Sequence, residues 1–464
     1  MTFVNAKNVA KNMSNYAFCV SFSFFMLQIG FVLPNAIIYS NDCSFEKKYM
    51  QNLSSIYRNI TPRLAQAILR SPAVLIVGPR QSGKTTLIQS LKGYHFVTLD
   101  DIRFLDSART DPMSFIAQLP KPLIIDNIQK APNLFLAIKY DIDRNRIPGR
   151  YVLIGDANPF MIPKVGDSLA GRVEVLTLYP FSQSELAGVT DSFVDLLWSK
   201  ELLSDLKCQK LSQKEFYEIL LTGGYPSVQN VSEQDRDQWF HDYVGTILQK
   251  DMIDLATIEH IKDVPRLLAL CAARAGSLVN MSELSRDSGL SATTLQRYIA
   301  LLETLYFVSM QPAWSGNIAK RMIKSPKSYL VDTGLLSWLR MLNMDKLLQS
   351  VVGEKGHVIE NFVVNELAKQ MTWSTSRCAM YHFRSASNVE VDIVLERMDG
   401  KIVGIEVKSN QQVSNHDAQG LLSLKEALPA DKWHRGIVLY GGDVIVPLAD
   451  GIIALPISAL WAQK

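Results

Sequence analysis

The run from Gly78 to Thr86 constrains the fold of this chain more than any other feature of its 464 residues. Its members are Gly78, Pro79, Arg80, Gln81, Ser82, Gly83, Lys84, Thr85 and Thr86, which match the pattern G-x-x-x-x-G-K-[ST]. Five apolar residues, Ala73–Val77, precede the run, and a helix-like pattern follows it. Such a loop needs a strand before it and a helix after it to surround an anion with backbone N–H groups. The run therefore predicts a strand, a phosphate-binding loop and a helix in succession.

The residue types in this loop suit the phosphates of a nucleotide, and the pattern is that of a P-loop. Gly78 and Gly83 allow the backbone amides to curve round the phosphates. Lys84 is placed to reach the β- and γ-phosphates, and the Thr85 hydroxyl is placed to bind Mg²⁺. The chain contains no N-K-x-D sequence, the motif of guanine recognition. We therefore predict ATP and Mg²⁺ as cofactors.

Four further apolar runs lie between residues 96 and 178. They are Phe96–Leu99, Leu123–Ile125, Tyr151–Ile154 and Val173–Leu178. These runs are continuous rather than alternating, which is typical of parallel strands that are covered on both faces. The sequence therefore predicts an α/β fold, with a parallel sheet of the P-loop NTPase type over residues 51–190 and an amphipathic helix over residues 51–70 at its start.

The polar residues that end two of these runs are the candidate catalytic groups. Asp126 follows Leu123–Ile125 and is the predicted second metal ligand. The next residue is Asn127, where ATPases with such an inserted strand usually have a glutamate, and an amide cannot act as a base. Our hypothesis is that Asp156 partly replaces this carboxylate, with Asn127 or Asn158 sensing the γ-phosphate. The alternative is that Asp156 caps the following helix.

Arg172 is the last residue of the segment Ser168–Arg172, directly before the final apolar run of this domain. One interpretation makes Arg172 an arginine finger that contacts a γ-phosphate within the chain or across the interface of a homo-oligomer. The alternative is a surface salt bridge.

The middle of the chain contains a helix–turn–helix pattern from Met281 to Ser291, with Gly289 at the turn. Thr293 and Arg297 lie at the exposed start of the second helix, where a recognition helix meets base edges. A strip without acidic residues follows, and its basic members are Lys320, Arg321, Lys324 and Lys327. Because the net charge is only +3, any DNA contact must be local. We predict a helical and winged-helix-like domain over residues 191–345 that contacts either DNA or protein.

Charged residues also interrupt the apolar runs of the C-terminal part. Glu406 and Lys408 share one face of a predicted strand, and Asp392 fits an adjacent strand of the same hairpin. With Glu360 on the preceding helix, the set resembles the core of the PD-(D/E)xK nucleases. That resemblance implies that Glu360, Asp392 and Glu406 hold Mg²⁺ and that Lys408 orients water or stabilises charge. Residues 346–464 are predicted to be a nuclease-like domain, either active or retained without cleavage.

The first 50 residues form a separate apolar extension. Residues 16–39 are long and apolar enough for a membrane anchor, and the alternative is a misassigned start with Met50 as the true beginning. The five cysteines are scattered and include no C-x-x-C pair, which fits a reducing compartment. We predict a cytoplasmic protein, with anchoring by residues 16–39 as the alternative.

Together the motifs resemble one family, the predicted AAA+-type ATPases of bacteria and archaea that carry an uncharacterised C-terminal domain. The matching segments are Val77–Thr86, Leu123–Gln129, Ser168–Arg172, Thr222–Pro226, Tyr329–Leu336 and Gly356–Asn365. The resemblance implies an ATPase core, a winged-helix-like middle and a nuclease-like C-terminal fold. Asn127 departs from the family pattern, and residues 1–50 have no place in it.

Three hypotheses for the function follow. The first is a slow ATPase whose nucleotide state controls a C-terminal module that binds nucleic acid or a partner. The second is an ATP-regulated, metal-dependent nuclease that uses the C-terminal cluster. The third is a scaffold that binds nucleotide without hydrolysing it, in which Asn127 marks the loss of turnover.

Overall fold

The structure, a computed structural model, describes residues 56–157, 171–199, 203–248, 261–349, 352–385, 389–449 and 451–463. The predicted anchor over residues 16–39, together with Asn158 and Ser168–Ala170, lies outside these ranges. Within them, no helix has both the length and the apolar character needed to cross a membrane. From Ile56 onward the chain forms one unit of contacting residues.

The first sheet is parallel throughout and confirms the predicted α/β fold. Its strands are β1 (Ala73–Val77), β2 (His95–Thr98), β3 (Leu123–Asp126), β4 (Tyr151–Gly155) and β5 (Val173–Thr177). Their order across the sheet is β2-β3-β4-β1-β5. Every residue of β1, β3 and β4 is buried, as expected of central strands with helices on both faces. The carboxyl ends of all five strands meet at one edge, where the loops after β1, β3 and β4 come together.

Among the residues that the structure describes, five helices accompany this sheet. They are α1 (Thr61–Arg70), α2 (Lys84–Ile88), α3 (Ile102–Thr110), α4 (Pro112–Gln118) and α5 (Leu134–Arg144). The helix predicted over residues 51–70 is shorter in the structure, because α1 begins only at Thr61. Pro62 stands in its first turn, where a missing N–H costs nothing, and Leu64 and Ala67 face the core.

The middle of the chain is mainly helical. Its helices are α6 (Gln183–Leu186), α7 (Phe193–Trp198), α8 (Gln213–Thr222), α9 (Glu233–Thr246), α10 (Val264–Ala273), α11 (Met281–Ser288), α12 (Ala292–Thr304), α13 (Ile318–Ile323), α14 (Thr333–Leu339) and α15 (Met344–Gln349). A small antiparallel sheet has the order β6-β8-β7 and contains β6 (Ser277–Leu278), β7 (Val308–Gln311) and β8 (Lys327–Leu330). Gly289 adopts a left-handed φ of 77° between α11 and α12, so the predicted helix, turn and helix are all present.

The C-terminal part contains a mixed six-stranded sheet in the order β13-β14-β12-β11-β10-β9. Its strands are β9 (Cys378–Arg384), β10 (Glu390–Arg397), β11 (Ile402–Lys408), β12 (Trp433–Tyr440), β13 (Val446–Pro447) and β14 (Ile452–Pro456). The two helices of this part are α16 (Val352–Met371) and α17 (Gln419–Ala427). Strands β10 and β11 form an antiparallel pair in which Ile393 faces Ile405, so the predicted hairpin is present.

The predicted boundary at residue 345 does not separate two hydrophobic cores. One continuous cluster of buried side chains extends from Phe193 to Trp461 and includes residues of α8, α16 and β11. Helix α16 buries apolar residues such as Phe362 against α8 as well as against the C-terminal elements. The middle and C-terminal parts therefore share their core.

Two motifs of the sequence, Thr222–Pro226 and Tyr329–Leu336, meet in this shared core. The carboxylate of Asp332 is buried, accepts a hydrogen bond from the backbone N–H of Gly224 at 2.7 Å and caps the start of α14. Gly223 has a φ of 70°, and a Cβ at this position would lie 2.2 Å from Asp332 Oδ1. The glycine at 223 is therefore required by the close approach of the two segments.

Candidate nucleotide-binding site

The loop between β1 and α2 has the tight backbone that its glycines predict. Gly78 has a φ of 148°, and a Cβ on it would lie 2.1 Å from the carbonyl oxygen of Leu178. Gly83 has a φ of 95° and stands directly before α2. These positions exclude any side chain, so the loop can curve closely around an anion at the start of α2.

Lys84 is the central charge of the loop, and its side chain is only 4% exposed. Its Nζ donates to the carbonyl oxygens of Gly78 and Pro79 at 3.0 and 2.7 Å. The same Nζ forms an ion pair with Asp156 Oδ1 at 2.7 Å. The structure thus brings the candidate residue Asp156, from the end of β4, directly to the P-loop lysine. A buried ammonium group needs such a counter-charge.

Thr85 and Asp126 are positioned to share a metal ion. The Thr85 hydroxyl lies 3.4 Å from Asp126 Oδ2, which connects the first turn of α2 with the end of β3. Burial raises the pKa of the Asp126 carboxyl, and the nearby charges of Asp156 and Asp100 raise it further. A cation bound beside this carboxylate would oppose that effect. A hydroxyl and a carboxylate are oxygen ligands of the kind that Mg²⁺ prefers, so the residues fit the predicted metal.

Asn127 has an unusual backbone and a charged neighbour. Its φ and ψ are 58° and 40°, in the left-handed region. Its side-chain Nδ2 donates to Asp100 Oδ2 at 2.9 Å, and Lys130 Nζ lies 2.5 Å from Asp100 Oδ1. Sequence reasoning missed Asp100, although its place two residues beyond β2 is a signal, because the carboxyl ends of parallel strands meet at one edge.

A cavity of about 310 Å³ adjoins the loop on the side of Asn127. Its polar lining includes Arg80, Arg109, Asn127, Gln129, Lys130 and Asp156. Three of these six residues carry positive charge and only one carries negative charge. The cavity therefore suits the negative charge that develops when a phosphoryl group is transferred.

The structure contradicts the interpretation of Arg172 as a finger within the same chain. Arg172 directly precedes β5, and the next residue, Val173, pairs with Ala73 at the amino end of β1. The P-loop lies beyond the carboxyl end of β1, about 13 Å further along the sheet. The Arg172 guanidinium instead forms an ion pair with Asp143, with an Nε–Oδ1 distance of 2.6 Å. The surface salt bridge is thus observed, and a contact across an interface between copies stays a prediction.

A second arginine, Arg58, contacts the P-loop from outside the motif. Its side chain is 9% exposed, and its Nη1 donates to the carbonyl oxygen of Ser82 at 2.7 Å. Its Nη2 donates to the carbonyl oxygen of Tyr179 at 2.6 Å, and its Nε pairs with Glu185 Oε1 at 2.9 Å. Arg58 therefore connects the P-loop with the start of the middle part. Nothing in the sequence around residue 58 predicts this contact, since all three partners are distant along the chain.

The structure brings the predicted C-terminal charges together. Lys408 Nζ lies 3.2 Å from Glu406 Oε2, and Asp392 Oδ2 accepts the backbone N–H of Val407 at 3.0 Å. Burial and the charge of Asp392 raise the pKa of Glu406 well above its usual value. Glu360 reaches the same cluster from α16, because Lys327 contacts both Glu360 and Asp392.

Lys327 lies within the predicted metal site. Its buried Nζ lies 2.8 Å from Glu360 Oε1 and 3.3 Å from Asp392 Oδ1, so an ammonium group stands between two of the proposed ligands. Within the described ranges, no group of three or more His, Cys, Asp and Glu side chains has the arrangement of a metal site. Burial and the charge of Asp392 raise the pKa of Glu360 to about 7. In this conformation an ammonium group lies between Glu360 and Asp392, and the assignment of Glu360, Asp392 and Glu406 as metal ligands stays a prediction.

The predicted DNA-binding residues have different surroundings. Thr293 and Arg297 are exposed on α12, and Lys324 is exposed while donating to the carbonyl oxygen of Arg384 at 3.1 Å. Arg321 is not available as predicted, because its guanidinium pairs with Glu396 and lies 4.9 Å from the ring of Tyr381. Lys327 belongs to the buried cluster rather than to the basic strip. The structure does not describe the side chain of Lys320.

Three consecutive segments of the chain match known protein families. Residues 70–187 match the family described as "AAA domain". Residues 213–348 and 355–460 match two families described as domains of unknown function, DUF8612 and DUF4143. The first match covers the P-loop, Asp126 and Asp156, so it coincides with the site described above.

Two mycobacterial proteins resemble almost the whole chain. The uncharacterized protein Rv2008c of Mycobacterium tuberculosis and the uncharacterized protein Mb2031c of Mycobacterium bovis are each 31% identical over 405 residues. These alignments cover 86% of this chain and 83% of each relative. An uncharacterized protein of Haemophilus influenzae is 21% identical over 284 residues, which are 59% of this chain and 63% of that protein.

Solved structures resemble this chain less closely. The Walker-type ATPase PABY2304 of Pyrococcus abyssi matches 60% of this chain and 94% of its own, with 12% identity and a TM-score of 0.36. AMPPCP-bound DnaA from Aquifex aeolicus matches 57% of this chain and 88% of its own, with 15% identity and a TM-score of 0.23. The assignment of the site therefore depends on its own geometry and on the family matches.

Replacing Lys327 by methionine should destabilise the protein by about 3–5 kcal/mol, because the buried carboxylates of Glu360 and Asp392 lose their counter-charge. Urea unfolding at pH 7 measures this change in the free energy of unfolding. The double variant Lys327→Met/Glu360→Gln should recover part of the loss, and Lys324→Met is the exposed control. A loss below about 1 kcal/mol for Lys327→Met would contradict the assignment of a buried ion pair.

Proposed function

This chain belongs to the family of AAA-domain proteins that includes the two mycobacterial relatives, and we propose that it hydrolyses ATP slowly and that the bound nucleotide controls its C-terminal half. The observation that carries the proposal is the position of Lys84. This buried ammonium group stands in a glycine-rich loop and is paired with Asp156, and Thr85 and Asp126 lie beside it. Such an arrangement has the parts needed to bind a nucleoside triphosphate with a divalent cation.

The residues around the loop have separate tasks in this proposal. Lys84 exchanges its contacts with the carbonyl oxygens of Gly78 and Pro79 for contacts with phosphate oxygens. Thr85 and Asp126 hold Mg²⁺, directly or through its water shell, and the bound Mg²⁺ neutralises phosphate charge. Asp156 keeps the Lys84 side chain oriented when no phosphate compensates its charge. The slowness follows from Asn127, which supplies no base.

Control of the C-terminal half is supported by a chain of buried polar contacts. Arg58 joins the carbonyl oxygen of Ser82 in the P-loop to Glu185 in α6. At the start of α6, the backbone N–H of Gln183 donates to Glu366 Oε2 of α16 at 2.7 Å. Every step is a direct contact between buried or half-buried groups, so a change in the P-loop can reach α16 without crossing solvent.

Helix α16 carries this chain of contacts into the C-terminal cluster. Lys369 Nζ donates to the carbonyl oxygen of Phe181 at 2.9 Å and pairs with Glu366 Oε1 at 2.8 Å. Two turns earlier, the same helix presents Glu360 to Lys327. One helix therefore contacts both the ATPase domain and the carboxylate cluster, which supports the proposal that nucleotide binding acts on the cluster.

Metal-dependent cleavage of DNA is a second candidate function, favoured by the convergence of Glu360, Asp392, Glu406 and Lys408. It requires that Lys327 withdraw, so that Mg²⁺ can stand between Glu360 and Asp392. The helix pair α11–α12 and the sheet β6–β8 support a winged-helix-like middle part, in which exposed Thr293 and Arg297 would contact DNA.

The nuclease candidate is tested by incubating DNA with the full chain, Mg²⁺ or Mn²⁺, and either ATP or ADP. Nucleotide-dependent cleavage that Glu406→Ala abolishes would establish it. Absence of cleavage under all these conditions would leave the carboxylate cluster with a structural role only.

Replacing Lys84 by alanine should remove ATP turnover, because no other buried cation lies in the loop among the described residues. Steady-state phosphate release by the full chain with ATP and Mg²⁺ measures this loss. Lys92→Ala is the matched control, since Lys92 is exposed just beyond α2. Equal turnover in wild type and Lys84→Ala would contradict the proposed hydrolysis.

ATP should slow amide hydrogen exchange in α16 by about tenfold in the wild-type protein, because typical coupling free energies between sites are of this order. Mass spectrometry of peptides from residues 352–371, with and without ATP, measures the effect. The same comparison with Lys84→Ala should show no change. Exchange in α16 that is insensitive to ATP would contradict the proposed control of the C-terminal half.

A further inference from the structure

The amide of Asn127 stands where a basic carboxylate is expected, so some other group has to orient the attacking water. This inference rests on the proposed ATP hydrolysis. Asp156 is an unsuitable replacement, because Lys84 Nζ holds it at 2.7 Å. Asp100 is equally occupied, since Lys130 contacts its Oδ1 and Asn127 contacts its Oδ2. Neither Asp156 nor Asp100 is therefore free to act as a base.

The contact with Asp100 determines which way the Asn127 amide faces. A carboxylate only accepts hydrogen bonds, so the NH₂ group of Asn127 must point at Asp100. The carbonyl oxygen, Oδ1, must then point away from Asp100. The backbone N–H of Asn127 donates to Asp126 Oδ1 at 3.0 Å and holds the residue beside the metal-binding carboxylate. Asp100 thus fixes the orientation of Asn127 without lining the cavity itself.

Gln129 is a second side-chain amide beside the same cavity. Its Nε2 lies 3.4 Å from Asn127 Oδ1, so the two side-chain amides are neighbours. Its Oε1 is buried and accepts no hydrogen bond from any residue that the structure describes. Buried polar atoms without partners are rare in folded proteins, and each one needs an explanation. Asn127 and Gln129 both line the 310 Å³ cavity next to Lys84 and Asp156.

We propose that Asn127 Oδ1 and Gln129 Oε1 together orient the attacking water, and that Asp100 is the positioning residue for Asn127. A water molecule has two O–H groups, and two amide oxygens can accept both. Its lone pair is then directed at the γ-phosphate. Orientation of this kind accelerates phosphoryl transfer without a base, because the transition state is loose and needs little proton removal.

The step is balanced without any further reactant. The water oxygen forms a bond to the γ-phosphorus while the bond from that phosphorus to the β–γ bridging oxygen breaks. ADP leaves with the electron pair of the broken bond. One proton of the water passes to an oxygen of the phosphate product and from there to solvent. Neither amide gains or loses a proton, so the turnover number should not follow the titration of a side chain near residue 127.

The test compares Asp100→Asn, Gln129→Met and the matched control Asp101→Asn in the full chain. Asp101 is the adjacent, half-buried acid that caps α3, and it contacts Arg103 rather than Asn127. We expect kcat to fall between about tenfold and a hundredfold in Asp100→Asn and in Gln129→Met, because the water loses its orientation. KM and the dissociation constant for ATP should stay at wild-type values, which also shows that each variant is folded. Asp101→Asn should keep the wild-type kcat.

A pH profile supplies the second measurement. The wild-type kcat should be flat between about pH 6 and pH 9, since an amide does not titrate in this range. Wild-type kcat in both Asp100→Asn and Gln129→Met, or a single titration step in the wild-type profile, would overturn the inference while leaving ATP hydrolysis established. Failure of the proposed function is distinguishable, because wild type would then release no more phosphate than Lys84→Ala.

Discussion

The ion pair between Lys84 and Asp156 is the interaction on which the nucleotide site depends. An ammonium group that is 4% exposed would be costly without compensation, and Asp156 provides it from the end of β4. The pair is possible only because β4 lies next to β1 in the sheet, so that the loop after each strand ends at the same edge. The sheet order therefore determines the electrostatics of the P-loop. A phosphate group can take the places of the carbonyl oxygens of Gly78 and Pro79 around Lys84, so that the ammonium group then stands between the phosphate and Asp156.

The C-terminal half also contains a buried lysine that is paired with carboxylates. Lys327 neutralises Glu360 and Asp392 much as Asp156 neutralises Lys84, and in both places a charge from one segment stabilises charges from another. Such pairs are sensitive to small movements, because separation of buried partners leaves uncompensated charge. Helix α16 contacts both the ATPase domain and the Lys327 cluster. Helix α16 thus contacts the Lys327 cluster directly, and the contacts of Glu366 with the Gln183 backbone and of Glu185 with Arg58 connect this helix to the P-loop.

Much of this fold could be predicted from the sequence, because continuous apolar runs and the glycine pattern of the P-loop are local signals. The position of Asp126 could also be predicted, since this residue ends an apolar strand. Asp100 was missed although it lies two residues beyond β2, whereas Gln129 and Arg58 could not be predicted, because their contacts join segments that only the folded chain brings together. The interpretation of Arg172 as a finger within one chain was wrong for a reason that the predicted parallel sheet contains: Arg172 precedes its strand, whereas the P-loop follows β1, so the two lie at opposite edges of the sheet. The sequence placed Lys327 in a basic surface strip, whereas its position on β8 directs its side chain towards the buried carboxylates of Glu360 and Asp392.

The central claim is that nucleotide binds at Lys84 and that Asp126 assists this binding. The most direct measurement is calorimetric titration of ATP into the full chain, with and without Mg²⁺, for wild type, Asp126→Asn and Lys84→Ala. We expect saturable one-site binding by wild type that weakens when Mg²⁺ is removed. We also expect little dependence on Mg²⁺ in Asp126→Asn and no binding by Lys84→Ala. Binding of equal strength in all three proteins, or no binding by wild type, would contradict a nucleotide site built around Lys84.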